Sequence, residues 1–176
     1  MFVMAIVLAI IIGLLLKGSL KNLENLKLNK ISFIFIAFII EFFIIILTKN
    51  GVVEKGTLTL VVDFIMYILI FSFIYFNRKD KFIVVMGFGF LLNAIPIFAN
   101  GGAMPISAEA LKSAGLNVET TQTGLYKLID SSTKFAYLGD IIPSTFLRRT
   151  VMSIGDIISA LAMMIVVILN MKKNTN

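Results

Sequence analysis

The chain has neither cysteine nor histidine among its 176 residues. The first absence excludes structural disulfides, thiolate nucleophiles and cysteine metal sites, and the second removes the commonest general base and metal ligand. Chemistry is left to carboxylates, hydroxyls, amides, Lys and Arg, and no metal or other cofactor is expected. Charge is scarce as well. Charged residues make up 15% of the chain and hydrophobic ones 59%, with a mean hydropathy of +0.98, whereas a soluble domain is about half apolar. No Pro-rich, Ser-rich or low-complexity linker divides the chain and no repeat at solenoid spacing appears, so residues 1–176 read as a single membrane domain. The formal charge of +6 comes from Lys and Arg spread through short connectors. Such spreading argues against nucleic acid as a partner and for the lipid bilayer, where basic residues record topology and meet anionic headgroups.

A bilayer core of about 30 Å needs roughly 20 apolar residues in helical form, because the backbone must satisfy its own hydrogen bonds there. Five runs come close: Phe2–Leu16, Ile31–Leu47, Thr57–Phe76, Phe82–Ala99 and Thr150–Leu169. The first has no charged region before its apolar stretch and no small-x-small cleavage site, so it is expected to be a retained helix and not a signal peptide. The expected class is therefore an all-α integral membrane bundle of about five helices. With five spans, the connectors alternate sides. One side collects Lys17, Lys21, Lys27, Lys30, Arg78, Lys79, Lys81, Lys172 and Lys173 in short segments, and the positive-inside rule makes it cytoplasmic. The amino terminus is then expected outside, the carboxyl terminus inside, and the address is the bacterial cytoplasmic membrane.

The long segment 100–149 is expected to carry two short interfacial helices. SAEALKSAG has Ser107 as an N-cap and Gly115 as a stop, and TGLYKLIDSSTK places Leu125, Leu128 and Ile129 on one helical face. FAYLGDIIP, with Gly139 and Pro143, reads as a re-entrant or surface turn ahead of the fifth span.

Four polar side chains interrupt the spans: Glu41, Asp63, Asn93 and Asp156. A carboxylate at mid-bilayer costs about 2.5 to 3.5 kcal/mol even on lenient scales. At a helical rise of 1.5 Å per residue, each lies about 9 Å below the outer end of its run. They are expected to share one level and to form a polar layer beneath segment 100–149. Three carboxylates that close do not all stay ionised, and a carboxylic acid beside a carboxylate is the arrangement of an aspartic peptidase. Structural readings stand beside this one. Ser153-x-x-Asp156 is a capping-box pattern. Glu41 and Asp63 suit interhelical glue or pairing with Arg148 or Arg149, Asn93 suits packing near the Pro96 kink, and NGGAMP, from Asn100, suits a turn. GFGF at Gly87–Phe90 is too weak for a phosphate loop. The candidate binding set is thus Glu41, Asp63, Asn93, Asn100, Arg148 and Arg149.

With NGGAMPIS, LGDIIP and SIGD, the stretch from Asn93 to Leu169 resembles a family of small bacterial polytopic membrane proteins of unknown function. More distantly, the chain resembles lipoprotein signal peptidase, an intramembrane aspartic peptidase with one aspartate in an Asn-x-x-Asp-Arg motif and another in an Ala-Asp-Ser motif at the outer start of its last helix. SIGDIISALAMMIVVIL is similar to the second motif and LGDIIP stands for the first, so that likeness implies Asp140 and Asp156 as the catalytic pair. Tyr137 replaces the Asn of the motif, Ile141 the Arg, Gly155 the Ala and Ile157 the Ser. The resemblance implies a membrane-anchored peptide as substrate. The reading preferred to this enzyme is an integral membrane protein of unknown activity with a buried polar cluster open to the outer face, and a further alternative is a small proton-coupled transporter or an interaction subunit with a partner membrane protein.

Overall fold

The computed structural model describes residues 2–52, 57–118, 125–145 and 149–172. Its framework is helical: α1 (Phe2–Leu15), α2 (Ser32–Lys49), α3 (Thr57–Phe76), α4 (Lys81–Ala99) and α6 (Ile154–Lys172), with a short α5 (Ala108–Ser113) between the last two. Three of these, α3, α4 and α6, are long and apolar enough to cross a membrane, while α1 and α2 are shorter apolar helices. The first four helices match the expected runs within two residues at each end. Asp80 opens α4 by accepting a hydrogen bond from the Phe82 N–H at 2.9 Å, which is the N-cap arrangement that satisfies a free donor of the first turn.

Helices α4 and α6 pack antiparallel, α1 lies on α6, and α2 lies on α3. At one end, polar clasps join the connectors. The Ser19 N–H and the Asn22 side-chain amide both donate to the Met171 carbonyl, at 2.9 and 2.7 Å. Asn77 exchanges two 2.8 Å bonds with the Asn29 backbone, donating to its carbonyl and accepting from its N–H. The bonds to Met171 satisfy a carbonyl that the end of α6 leaves without a helical partner. The clasps also gather Lys17, Lys21, Lys27, Lys30, Arg78, Lys79, Lys81 and Lys172 at a single basic end of the bundle.

The opposite end carries the segment after Asn100, and here the fold departs from the expectation of two helices. Among the described residues only the first forms, as α5, with the Ser107 hydroxyl accepting from the Ala110 N–H at 3.2 Å. In place of the second is strand β2 (Tyr126–Leu128), parallel to β1 (Met104–Ile106). The 1-4-5 spacing of Leu125, Leu128 and Ile129 is outweighed by a backbone edge on β1 that needs partners. The turn after β2 is closed locally, since the Asp130 carboxylate accepts from the N–H and hydroxyl of Ser132 at 2.8 and 2.6 Å. FAYLGDIIP forms a 3-10 turn over Ala136–Leu138, after which Asp140 bridges to Ile106 on the β1 edge. This segment is thus built into the sheet. Its small core joins Ile106, Leu111 and Val151, with Tyr126 and Leu128 against them.

The last helix begins later than its apolar run. Residues Thr150–Met152 form β4, paired antiparallel with β3 (Ile142–Ser144), and α6 starts at Ile154. Hydropathy alone did not separate the two elements. β-Branched residues at 141, 142, 150 and 151 favour the hairpin, and Ser153 supplies the cap where the helix begins.

Candidate functional site

A cavity of about 210 Å³ lies beneath segment 100–149, among α2, α3, α4 and the start of α6. Four carboxylates line it, each from a different element: Glu41 from α2, Asp63 from α3, Asp156 from α6 and Asp140 from the β1 edge. Asn93, Tyr67 and Tyr126 add to the polar lining, and among the described residues no Lys or Arg lines it.

Asp156 is the most firmly held. Its Oδ1 accepts from Asn93 Nδ2 at 2.8 Å and its Oδ2 from the Ser153 N–H at 3.3 Å, while the Ser153 hydroxyl accepts from the Asp156 N–H at 2.9 Å. The Ser153 hydroxyl in turn donates to Asn93 Oδ1 at 2.6 Å. Ser153 and Asp156 therefore form a reciprocal capping box, and the same carboxylate faces the cavity. The cap and the site are one device. Asn93 and Asp156 also stand at one level, although Asp156 sits in the first turn of α6 and Asn93 about 9 Å before the end of α4. The hairpin of β3 and β4 occupies the difference.

Gly155 makes this approach feasible. A Cβ there would collide with Asn93 Oδ1 and with the Gly89 carbonyl, so only glycine brings α6 close enough for the Asn93–Asp156 bond. Gly139 acts similarly on the other aspartate, since a Cβ would meet the Pro105 carbonyl oxygen at 2.5 Å. With that space free, the Asp140 N–H donates to Pro105 O at 2.8 Å and its carbonyl accepts from the Ser107 N–H at 2.9 Å. Both Gly-Asp pairs use the glycine to seat a backbone and the aspartate to face the cavity.

Asp140 is pinned by its backbone alone. It is 6% exposed, and among the described residues no hydrogen bond reaches its carboxylate. Burial pushes its carboxyl up from 3.8 to about 8, and the Asp156 charge adds to the effect. Tyr126 is pushed up to about 12, first by burial and then by Asp140, Asp156 and Glu41. At the surface the same residue type behaves oppositely: hydrogen bonds from Ser132 and Thr133 hold Asp130 down at about 2. Because folding strengthens the hold of Asp140 on its proton, the folded chain binds more protons than the unfolded chain from about pH 4 to about pH 8. The stability this contributes is fully present below pH 4 and lost as pH rises through 8, at up to about 1.4 kcal/mol per pH unit. Unfolding in detergent at pH 5 and pH 8 is expected to show the decline in the native chain and a flatter profile in Asp140→Asn. Parallel profiles would contradict it.

The remaining candidates fall elsewhere. Asn100 closes α4, donating to the carbonyls of Pro96 and Lys134 at 2.7 and 2.8 Å and accepting from the Lys134 N–H at 3.0 Å. It does not line the cavity. Arg149 is exposed beside Gly115 and also lies off the cavity, so it pairs with neither Glu41 nor Asp63. Arg148 is outside the described residues. Tyr67 and Tyr126 had no counterpart in the sequence reading: Tyr67 lay inside an apolar run, and Tyr126 in the stretch taken for a helix.

The fold and cavity define a mainly helical protein with three helices of membrane-crossing length and apolarity, and a buried site rich in carboxylates. The chain belongs to the family of unknown function DUF5317, whose model matches residues 25–168. That span includes all four cavity carboxylates. An uncharacterized protein of Thermotoga maritima is similar, 29% identical over 115 residues, and the match covers 62% of this chain and 64% of the relative, less than two thirds of its length. No solved structure matches.

Proposed function

We propose that the protein is a multi-pass protein of the bacterial cytoplasmic membrane whose cavity binds a small organic cation, an ammonium group, from the outer side. Four carboxylates from four elements on one cavity, with no Lys or Arg among its described lining residues, is the observation that carries this reading. The membrane address is supported by large side chains such as Phe35, Phe42, Phe43 and Phe64, which are exposed along α2 and α3; water does not tolerate an apolar surface of that extent. In this arrangement five helices cross, the basic end is cytoplasmic, and segment 100–149 caps the outer face. The exposed pair Phe135 and Tyr137, with ring centroids 6.3 Å apart, supports that placement as an interfacial anchor. At the other end, Arg78 lies 4.1 Å over the exposed Tyr75 ring and suits the cytoplasmic interface.

The cavity suits an ammonium group in two ways. Its carboxyl groups supply charge where lipid and protein exclude water, those that hold a proton in the empty cavity giving it up beside an entering cation, and Phe2, Phe38, Tyr67, Phe90 and Tyr126 line it with aromatic rings, whose faces attract cations. At about 210 Å³ it is smaller than the roughly 300–1,000 Å³ of drug-sized sites, which favours a head group over a large ligand. Purified protein in phosphatidylcholine nanodiscs is expected to bind ethylammonium, read as quenching of tyrosine emission, with about tenfold weaker affinity in Glu41→Gln and in Asp140→Asn. No difference between these variants and the native chain would remove the reading.

A second reading is favoured by one observation: Asp140 and Asp156 face the same cavity, as the resemblance to lipoprotein signal peptidase implies for a catalytic pair. One carboxylate would take a proton from water as it adds to a peptide carbonyl, and the other would protonate the departing amine. The bonds to Asp156 weigh against it, because both of its oxygens already accept from protein donors and it acts more readily as a fixed charge than as a base. Accumulation of uncut membrane-anchored peptides in cells carrying Asp156→Asn would favour the peptidase.

A further inference from the structure

Next to the acidic cavity runs a second one of about 440 Å³, and every described residue that lines it is apolar. It lies between α1 and α2, floored by α4 and α6. Three residues belong to both cavities: Phe2, Phe38 and Phe90. From these rings the groove continues toward the basic end past Ile34 of α2, Ile83 of α4 and Val166 of α6. Glu41 and Ile34 are seven residues apart on one helix, so the acidic wall stands about 10 Å from the apolar bed along the helix axis. Asp140, nine-tenths buried and without a hydrogen bond to its carboxylate among the described residues, faces the head of this path.

We infer that the two cavities form one bipartite site for a single-chain cationic amphiphile, its ammonium head among the carboxylates and its alkyl tail in the groove. The inference rests on the cation reading of the acidic cavity and adds the substrate class. Charge and continuity select this occupant. A bilayer phospholipid carries an anionic phosphate that the acidic wall repels. A lone apolar chain gains nothing at the carboxylates. The tail needs no attraction of its own, because the bilayer is as apolar as the groove; the head directs where the tail lies. The three shared rings mark the junction, where the ligand changes from charge to hydrocarbon.

The site is tested by where a tail lands. Protein in phosphatidylcholine nanodiscs is irradiated with a dodecylammonium ion carrying a diazirine at its terminal carbon, and labelled residues are mapped by mass spectrometry. Label is expected at Ile83, Val166 and their groove neighbours. It is expected to fall about tenfold with excess ethylammonium and in the Glu41→Gln/Asp140→Asn double variant. Val167→Phe and, from the other wall, Ile6→Phe fill the groove; each is expected to lose the label about tenfold while ethylammonium still binds. Groove labelling that ignores the carboxylates, or label spread evenly over lipid-facing residues outside the groove such as Phe42 and Phe64, would overturn the inference. So would a phospholipid or a partner helix recovered from the groove. Failure of ethylammonium to bind the native chain would instead strike the cation reading, which keeps the two outcomes apart.

Discussion

Gly155→Leu is expected to leave no monodisperse folded protein in detergent extracts, and Gly155→Ala to cost about 3 kcal/mol of stability, at the upper end for overpacking. Helix propensity alone predicts the opposite for alanine, since Ala is favoured over Gly by about 1 kcal/mol within a helix. Packing decides here because the space for a Cβ is taken by backbone: the Gly89 carbonyl lies 2.5 Å from where that atom would sit. A backbone carbonyl does not swing aside as the end of a flexible side chain does. Gly89 is closed in from the other side, as a Cβ there would strike the Ser159 hydroxyl and the Gly155 carbonyl. Separating α4 from α6 to admit a methyl group would also part Asn93 from Asp156. Size-exclusion profiles and thermal unfolding read the outcome, with Leu91→Ala on the exposed face of α4 as the control. A Gly155→Ala variant as stable as the native chain would show that the helices approach less closely.

Asn93→Leu is expected to cost about 3 kcal/mol, because hydrogen bonds to charged groups contribute about 1.5 to 3 kcal/mol and this residue serves two partners. The substitution keeps the volume while stripping a donor from Asp156 Oδ1 and an acceptor from the Ser153 hydroxyl. Ser153 is fully buried, so water does not readily replace what is lost. The second half of the prediction distinguishes a network from a packing defect. Removing both partners in Asn93→Leu/Asp156→Leu leaves no orphaned charge at this point, so the double variant is expected to be less damaged than the sum of the singles. Denaturant unfolding of the four proteins completes the cycle, and strict additivity would deny the coupling.

Long elements were legible in the chain because a single physical quantity, sustained apolarity, sets them. The runs at 2–16, 31–47, 57–76 and 82–99 became helices almost residue for residue. Short elements were not, since TGLYKLIDSSTK carries a helical spacing and becomes a strand only because the β1 edge, some twenty residues away, needs a partner. The fifth run failed at its start for a related reason: Thr150–Met152 is as apolar as a helix but pairs with Ile142–Ser144. Among site residues, Glu41, Asp63, Asn93 and Asp156 stood out because polarity inside apolar runs is conspicuous, and all four line the cavity. Asn100 and Arg149 were conspicuous for other reasons, an amide before two glycines and a charge before a span, and they cap a helix and face outward. GFGF lies inside α4. A small residue at Gly89, facing Gly155 and Ser159 spaced four apart on α6, was a readable sign of close helix contact. The tyrosines gave no such sign, because an aromatic ring in an apolar run looks the same whether it packs or lines a site.

The absence of native cysteine makes the central claim, an acidic cavity that admits cations from the outer side, directly measurable. Leu125→Cys places one thiol on the cavity wall without touching a carboxylate. In intact cells it is exposed to two membrane-impermeant methanethiosulfonates of similar size, one bearing a trimethylammonium group and the other a sulfonate. The cationic reagent is expected to react faster by about tenfold or more, the range for a charged cleft with low-dielectric walls, and the preference is expected to shrink when Glu41→Gln and Asp63→Asn are added. Equal rates for the two reagents, or faster reaction with the sulfonate, would contradict the account.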